Sequence, residues 1–174
     1  FLDHDAPPGE PAVDSSGGQG GLLAAVRPQI EPWHDGQGSV WIGAGRGPFD
    51  REFTDAAGWE TIETPRGPVR HRRLYFDGET WRGHYAAVAN SFLWPLLHLV
   101  RLPLPVIRNY YPAPHEPDAA EWEAYREVNR AFATAALELQ GERTCWVHDY
   151  QLALVPAMLR TRGYRGPIGF FLHT

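Results

Sequence analysis

The chain contains no lysine: all sixteen of its basic residues are arginine. Schiff-base chemistry and a lysine clamp on phosphate are thereby excluded within these 174 residues, although an arginine fork can still grip a phosphate. Coding bias explains this absence better than function does. Cysteine is nearly absent too. Cys145 has no second thiol to pair with, and its place in an apolar run suits a small core residue in a reducing compartment better than a nucleophile. Basic charge is not in excess: 16 basic against 21 acidic residues leave a formal net charge of -5, with no broad attraction for nucleic acid or an anionic membrane. No hydrophobic run approaches the roughly 20 residues of a membrane helix. The longest, from Phe92 to Val100, is broken by Pro95 and His98. The first residues lack the basic-then-apolar pattern of a secretion signal. The expectation is a soluble, cytoplasmic protein without nucleic-acid or membrane partners.

Glycine and proline punctuate what is there. From Asp5 to Gly21 the chain is Gly, Pro, Ser and acid, with little to bury, so residues 1–21 read as a flexible loop leading into Leu22-Leu-Ala-Ala-Val26. Its last glycines, including Gly20 and Gly21, permit backbone N–H groups to approach an anion at a helix start, although a plain loop has the same composition. Ser39 to Gly43 reads as a short strand. Trp59 to Phe76 reads as a hairpin bent at Pro65-Arg-Gly-Pro68. The cluster Arg66, Arg70, His71, Arg72 and Arg73 falls on that hairpin and is expected to be a solvated face, since interleaved aromatics are few. Gly83 to Val100, dense in Trp, His, Tyr and Leu, predicts one or two buried helices stopped by Pro103 and Pro105. Asp118 to Leu139 is the clearest helix: Asp118 caps it, Glu121 completes a capping box, Trp122, Tyr125, Val128 or Asn129, Phe132 and Ala136 recur at helical spacing, and Gly141 ends it.

The most informative stretch is Thr144 to Arg160. An apolar run, Cys145 to Val147, delivers His148, Asp149 and Tyr150 to the point where a buried strand gives way to a helix from about Gln151 to Arg162; a turn at Gly163 to Pro167 and a second strand, Ile168 to Leu172, follow. Two apolar strands joined by a helix form a βαβ unit, which imposes a parallel sheet with helices on its faces. The class is therefore α/β, with a parallel sheet. His148, Asp149 and His173 then sit at the carboxyl ends of neighbouring strands, where such sheets bind ligands. Asp149 could equally be a helix N-cap, and His148 a histidine bonded to backbone. Trp94 and Tyr85 fit an ordinary aromatic core. Asn129, inside a helix, must find partners in the fold or in a ligand.

Four blocks resemble the trehalose-6-phosphate synthase family of retaining glycosyltransferases: Gly20-Gly-Leu22, Asn90-Ser-Phe-Leu-Trp-Pro-Leu-Leu-His98, Val147-His-Asp-Tyr-Gln-Leu152 and Ile168-Gly-Phe-Phe-Leu-His173, with Trp122, Tyr125, Val128 and Asn129 as a helical fifth. The resemblance implies a GT-B architecture, two Rossmann-like domains facing across a cleft. Residues 1–174 then form the N-terminal, acceptor-side domain, as a fragment without the C-terminal donor-binding domain, and inactive alone. The implied reaction moves glucose from a nucleoside diphosphate glucose, a co-substrate rather than a cofactor, to glucose 6-phosphate, giving trehalose 6-phosphate; no metal or other cofactor is implied. Carried over by position, Tyr85, Trp94 and Asp149 line the acceptor pocket, His173 contacts the donor glucose, and Gly20 and Gly21 form a loop near the donor phosphates. Asp149 and His173 are the catalytic candidates. Attack on the front face, assisted by the leaving phosphate, fits retention without an enzyme nucleophile.

Two departures fall on the acceptor side. The family opens with a strand ending in Asn-Arg, absent from Phe1 to Asp5, and carries a second aromatic where this chain has Ala44. Glucosylglycerol-phosphate synthases, which use glycerol 3-phosphate, resemble the same blocks, and a catalytically silent sugar-phosphate-binding regulatory domain is the other alternative. The donor base is not legible, and a homo-oligomer of the full-length parent stays open.

Overall fold

The computed structural model describes residues 30, 32, 38–45, 47, 49–98, 115–139 and 143–173. They belong to two compact units, Phe1–Tyr75 and Phe76–Thr174. Among the described residues no helix is long and apolar enough to cross a membrane.

The first unit is built on three strands, β1 (Val40–Ala44), β2 (Trp59–Thr64) and β3 (Gly67–Leu74), in the order β1-β3-β2. β2 and β3 form the expected hairpin, antiparallel with Thr64 opposite Gly67, and β1 runs parallel to β3 with Val40 beside Arg70. The arginines of β3 are not the solvated face that composition suggested. Arg70 and Arg72 place their guanidinium groups over the Trp59 ring at 4.9 and 5.5 Å, and Arg73 reaches Glu60 (2.6 Å) and Asp50 (2.8 Å). Only Arg66, at the bend, is exposed. Strand geometry explains the difference: facing positions on β2 bring an aromatic ring and a carboxylate within reach of the long side chains.

The second unit carries the βαβ element. β4 (Cys145–His148) and β5 (Ile168–Phe171) are parallel, with His148 beside Phe171. The connection differs from a single helix at 151–162: a 3₁₀ turn, Tyr150–Leu152, is followed by a short α-helix, Val155–Thr161, with Pro156 in its first turn. Proline supplies no N–H for an incoming helical bond, so the helix begins there rather than running through it. His148 is the last residue of β4 and not the first beyond it.

Helical structure also starts earlier than expected in the aromatic-rich segment. The Asp77 carboxylate accepts from the N–H groups of Glu79 and Thr80 and opens an α-helical turn, α1 (Gly78–Trp81). The chain continues as a π-helical stretch, Arg82–Leu93, and closes with α2 (Trp94–Leu97). Trp94 donates its N–H to Ala89, five residues back. This arm packs against α3 (Ala119–Glu138), whose Asp118–Glu121 capping box is formed as read from sequence. Gly83 permits the close approach: a Cβ there would lie 2.9 Å from that of Ala124. α3 ends at Glu138 with Leu139 extended, and Gly141, the expected terminator, lies outside the described residues. The helix between β4 and β5 is α4 (Val155–Thr161), and it packs on α3. Val88, Tyr125, Val128, Ala133 and Leu159 are at most 1% exposed and form the centre of this core.

Two polar residues share that core. Asn129, 0% exposed, is satisfied within the fold: its amide donates to the carbonyls of Tyr125 (2.9 Å) and Gln151 (3.0 Å) and its Oδ1 accepts from Leu154 N–H (3.1 Å). Asn129→Ala orphans buried backbone groups of Gln151 and Leu154 and should cost about 3 kcal/mol in urea denaturation. His84, 1% exposed, lies against the rings of Trp81 and Tyr125, each with centroids 5.3 Å away. Burial holds its imidazole down at about 4, from an ordinary 6.5. The unfolded chain therefore takes up the proton first. Stability from this residue is complete above pH 6.5, is lost as pH falls toward 4 and is flat below, a loss of up to about 3 kcal/mol that His84→Phe should remove from the pH dependence.

Candidate active site at the carboxyl end of the parallel strands

At the end of β4 the backbone turns sharply. Asp149 donates its N–H to the Phe171 carbonyl (2.7 Å), extending the β4–β5 ladder by one step, and adopts φ 73, ψ 166. It is the only non-glycine residue with positive φ among the described residues. That conformation is nearly confined to glycine and costs about 1–3 kcal/mol in a residue with a Cβ. The neighbouring bonds impose it. Asp149 Oδ1 accepts from Tyr150 N–H (2.9 Å) and its carbonyl accepts from Leu152 N–H (3.1 Å), while the Tyr125 hydroxyl donates to the Tyr150 carbonyl. Asp149 thus is an N-cap, as one reading of the sequence had it, but of the 3₁₀ turn. Oδ2 makes no hydrogen bond within the described residues, so one oxygen of a strained carboxylate is left for an outside donor.

Beside it, four rings form a row along β4 and β5: Trp146 and His148 (4.9 Å between centroids), His148 and His173 (5.9 Å), Phe171 and His173 (4.5 Å). Trp146 and Phe171 are about half exposed. His148 is not bonded to backbone through Nδ1; that atom and His173 Nε2 are buried without a hydrogen-bond partner among the described residues. Burial, and then the His173 charge, push the His148 imidazole down against the opposing pull of Asp149, which favours its neutral form near pH 7.

The π-helical arm supplies the remaining candidates. Tyr85 stacks on Trp81 (5.4 Å) and lies near Tyr150, whose hydroxyl is pushed up to about 12 by burial, the Asp149 charge and the Tyr85 phenol. Trp94 stacks on His98 (4.3 Å), and His98 Nδ1 is 2.8 Å from the Trp94 carbonyl. Asn90 accepts from the Tyr150 hydroxyl at 3.2 Å. The structure therefore brings Asp149, His148 and His173 to one strand end and links the arm bearing Tyr85 to it through Tyr150. Gly20 and Gly21 lie outside the described residues. Tyr125 and Tyr150, which hold the turn, were not among the site candidates: in the sequence Tyr125 stood as a position of the helical stripe and of the fifth family block, and Tyr150 as the residue after Asp149 at the strand–helix junction. Among the described residues no three His, Cys, Asp or Glu side chains are grouped so as to hold a metal ion.

A βαβ unit with an acid and two histidines at its carboxyl edge is the arrangement of a Rossmann-like enzyme that binds its ligands at the strand ends. The model of Glycosyltransferase family 20 matches residues 12–174, and the chain belongs to that family. It is 40% identical over 133 residues to alpha,alpha-trehalose-phosphate synthase [UDP-forming] 1 of Aspergillus fumigatus, covering 67% of this chain and 24% of that protein. Identity is 37% over 155 residues to the trehalose-6-phosphate synthase of Mycolicibacterium gilvum, covering 88% and 27%. The chain thus spans about a quarter of the length of these relatives. The crystal structure of an alpha,alpha-trehalose-phosphate synthase (UDP-forming) from Burkholderia vietnamiensis superposes with a TM-score of 0.63 at 28% identity, over 88% of this chain and 30% of that one. The fold is accordingly α/β of the GT-B glycosyltransferase type.

The strain at Asp149 has a direct test. Asp149→Gly and Asp149→Ala both delete the carboxylate, but only glycine relaxes into positive φ. The glycine variant should be the more stable of the two by about 1–2 kcal/mol in urea denaturation, and equal stabilities would show that no strain is stored there.

Proposed function

We propose that this chain is the acceptor-side, N-terminal part of a retaining glucosyltransferase that transfers glucose from UDP-glucose to glucose 6-phosphate, forming trehalose 6-phosphate. The observation that carries the reading is Asp149: a carboxylate with one oxygen unbonded among the described residues, held in a strained turn at the carboxyl end of β4 beside His148 and His173. Family membership and the relatives named as UDP-forming synthases support the substrates.

In this reading Asp149 Oδ2 accepts a hydrogen bond from the attacking hydroxyl of the acceptor sugar and orients it, while Tyr85 and Trp94 offer flat faces to the ring. Positioning of this kind can contribute several kcal/mol. The hydroxyl oxygen bonds to C1 of the donor glucose as the bond from C1 to the phosphate oxygen breaks, and the departing UDP takes the hydroxyl proton. His173 bonds the donor glucose and forms no covalent intermediate. His148, held toward its neutral form by burial, adds no positive charge near the developing cationic sugar. Gly20 and Gly21 supply backbone N–H groups to the donor phosphates, and a C-terminal domain binds the rest of the nucleotide.

The test is an assay of the full-length parent protein with UDP-glucose and either glucose 6-phosphate or glycerol 3-phosphate. Trehalose 6-phosphate is the expected product, with kcat/KM lowered about 100-fold or more in Asp149→Asn. Transfer to glycerol 3-phosphate alone replaces the acceptor, and transfer to neither defeats the reading.

A further inference from the structure

The proposed acceptor residues come from two parts of the second unit: Asp149 follows the end of β4, and Tyr85 and Trp94 stand on the arm made of the π-helical stretch and α2. A pocket shared by both works only if their separation is fixed. A side-chain hydrogen bond spans them, from the Tyr150 hydroxyl to Asn90 Oδ1 at 3.2 Å. Tyr150 is 7% exposed and directly follows Asp149, whose carboxylate it bonds through its own N–H. Its carbonyl in turn accepts from the Tyr125 hydroxyl, so backbone and side chain are both anchored. The hydroxyl stays protonated at any working pH, its pKa raised to about 12, and so is a permanent donor.

The π-helical form of the arm suits the same purpose. In an α-helix, at 100° per residue, Tyr85 and Asn90 would point about 140° apart; the wider π turn, with bonds reaching five residues back, draws them toward one face. Tyr85 accordingly lies near the same Tyr150 that Asn90 bonds.

We propose that Tyr150 and Asn90 are positioning residues for glucosyl transfer, their hydrogen bond setting the distance between Asp149 and the arm that bears Tyr85 and Trp94. This rests on the acceptor-pocket reading above, but its geometry can be tested apart from it.

Amide hydrogen exchange of this chain reads the geometry directly. Tyr150→Phe and Asn90→Ala should each speed exchange at residues 150 and 152 by about 10-fold, with the interior amides of α3 changed less than about twofold. Asn90→Asp, which keeps an acceptor oxygen, should exchange like wild type. If Tyr150→Phe does not fold, the contrast between Asn90→Ala and Asn90→Asp decides. In the full-length parent, Tyr150→Phe and Asn90→Ala should each lower kcat with glucose 6-phosphate by about 10-fold, and the double variant no further than either single. Unchanged exchange at residues 150 and 152, or losses of kcat that multiply, overturns the proposal. A wild-type parent without transfer activity defeats the functional reading alone, and the exchange result still decides whether the bond sets the geometry.

Discussion

The second unit depends on the grip of α3 on the turn that follows β4. Tyr125 and Asn129, one helical turn apart and essentially unexposed, bond backbone groups of Tyr150, Gln151 and Leu154. Those bonds, with the one from Asp149 N–H to the Phe171 carbonyl, keep Asp149 in a conformation that its Cβ disfavours. Strain at the strand end persists because a helix from elsewhere in the chain over-determines the turn. The apolar burial around Val88, Val128 and Leu159 makes that helix a fixed reference, so hydrophobic packing and the polar grip act in sequence: the first places α3, the second places the carboxylate.

Much of this was legible in the residues. Alternation and turn chemistry marked the β2–β3 hairpin, the Asp118–Glu121 box marked the start of α3, and two short apolar runs around a helix marked a parallel pair. Those signals are local, or repeat with a known period. The strand-end position of Asp149 and His173 followed from the same pattern. What stayed hidden was non-local or aperiodic. Positive φ at Asp149 arises from bonds that tie the turn to two distant elements, β5 and α3, and nothing in the His-Asp-Tyr triplet announces it. The aromatic-rich segment was read as helix, but its π form was not legible because its hydrophobic residues follow no 3.6-residue period, and Asn129 could not be assigned until its three partners were known.

Charge was misjudged for a related reason. The arginines of β3 looked solvated because sequence shows their density but not what faces them. Pairing with β2 supplied Trp59 and Glu60, and the guanidinium groups fold over the ring or onto the carboxylate. Arginine, with its planar group and long apolar stem, tolerates such half-buried positions better than lysine would. Arg70, Arg72 and Arg73 are thus less solvated than composition alone implies.

The π-helical stretch has a consequence for how this scaffold could diverge. A coil that closes its hydrogen bonds over five residues instead of four holds surplus chain within each turn. Deleting one residue between Arg82 and Leu93 would let one turn tighten to the α form and change which of its side chains share a face. The contour of a binding cavity could thereby be reshaped with no substitution among its walls, by a change in length alone.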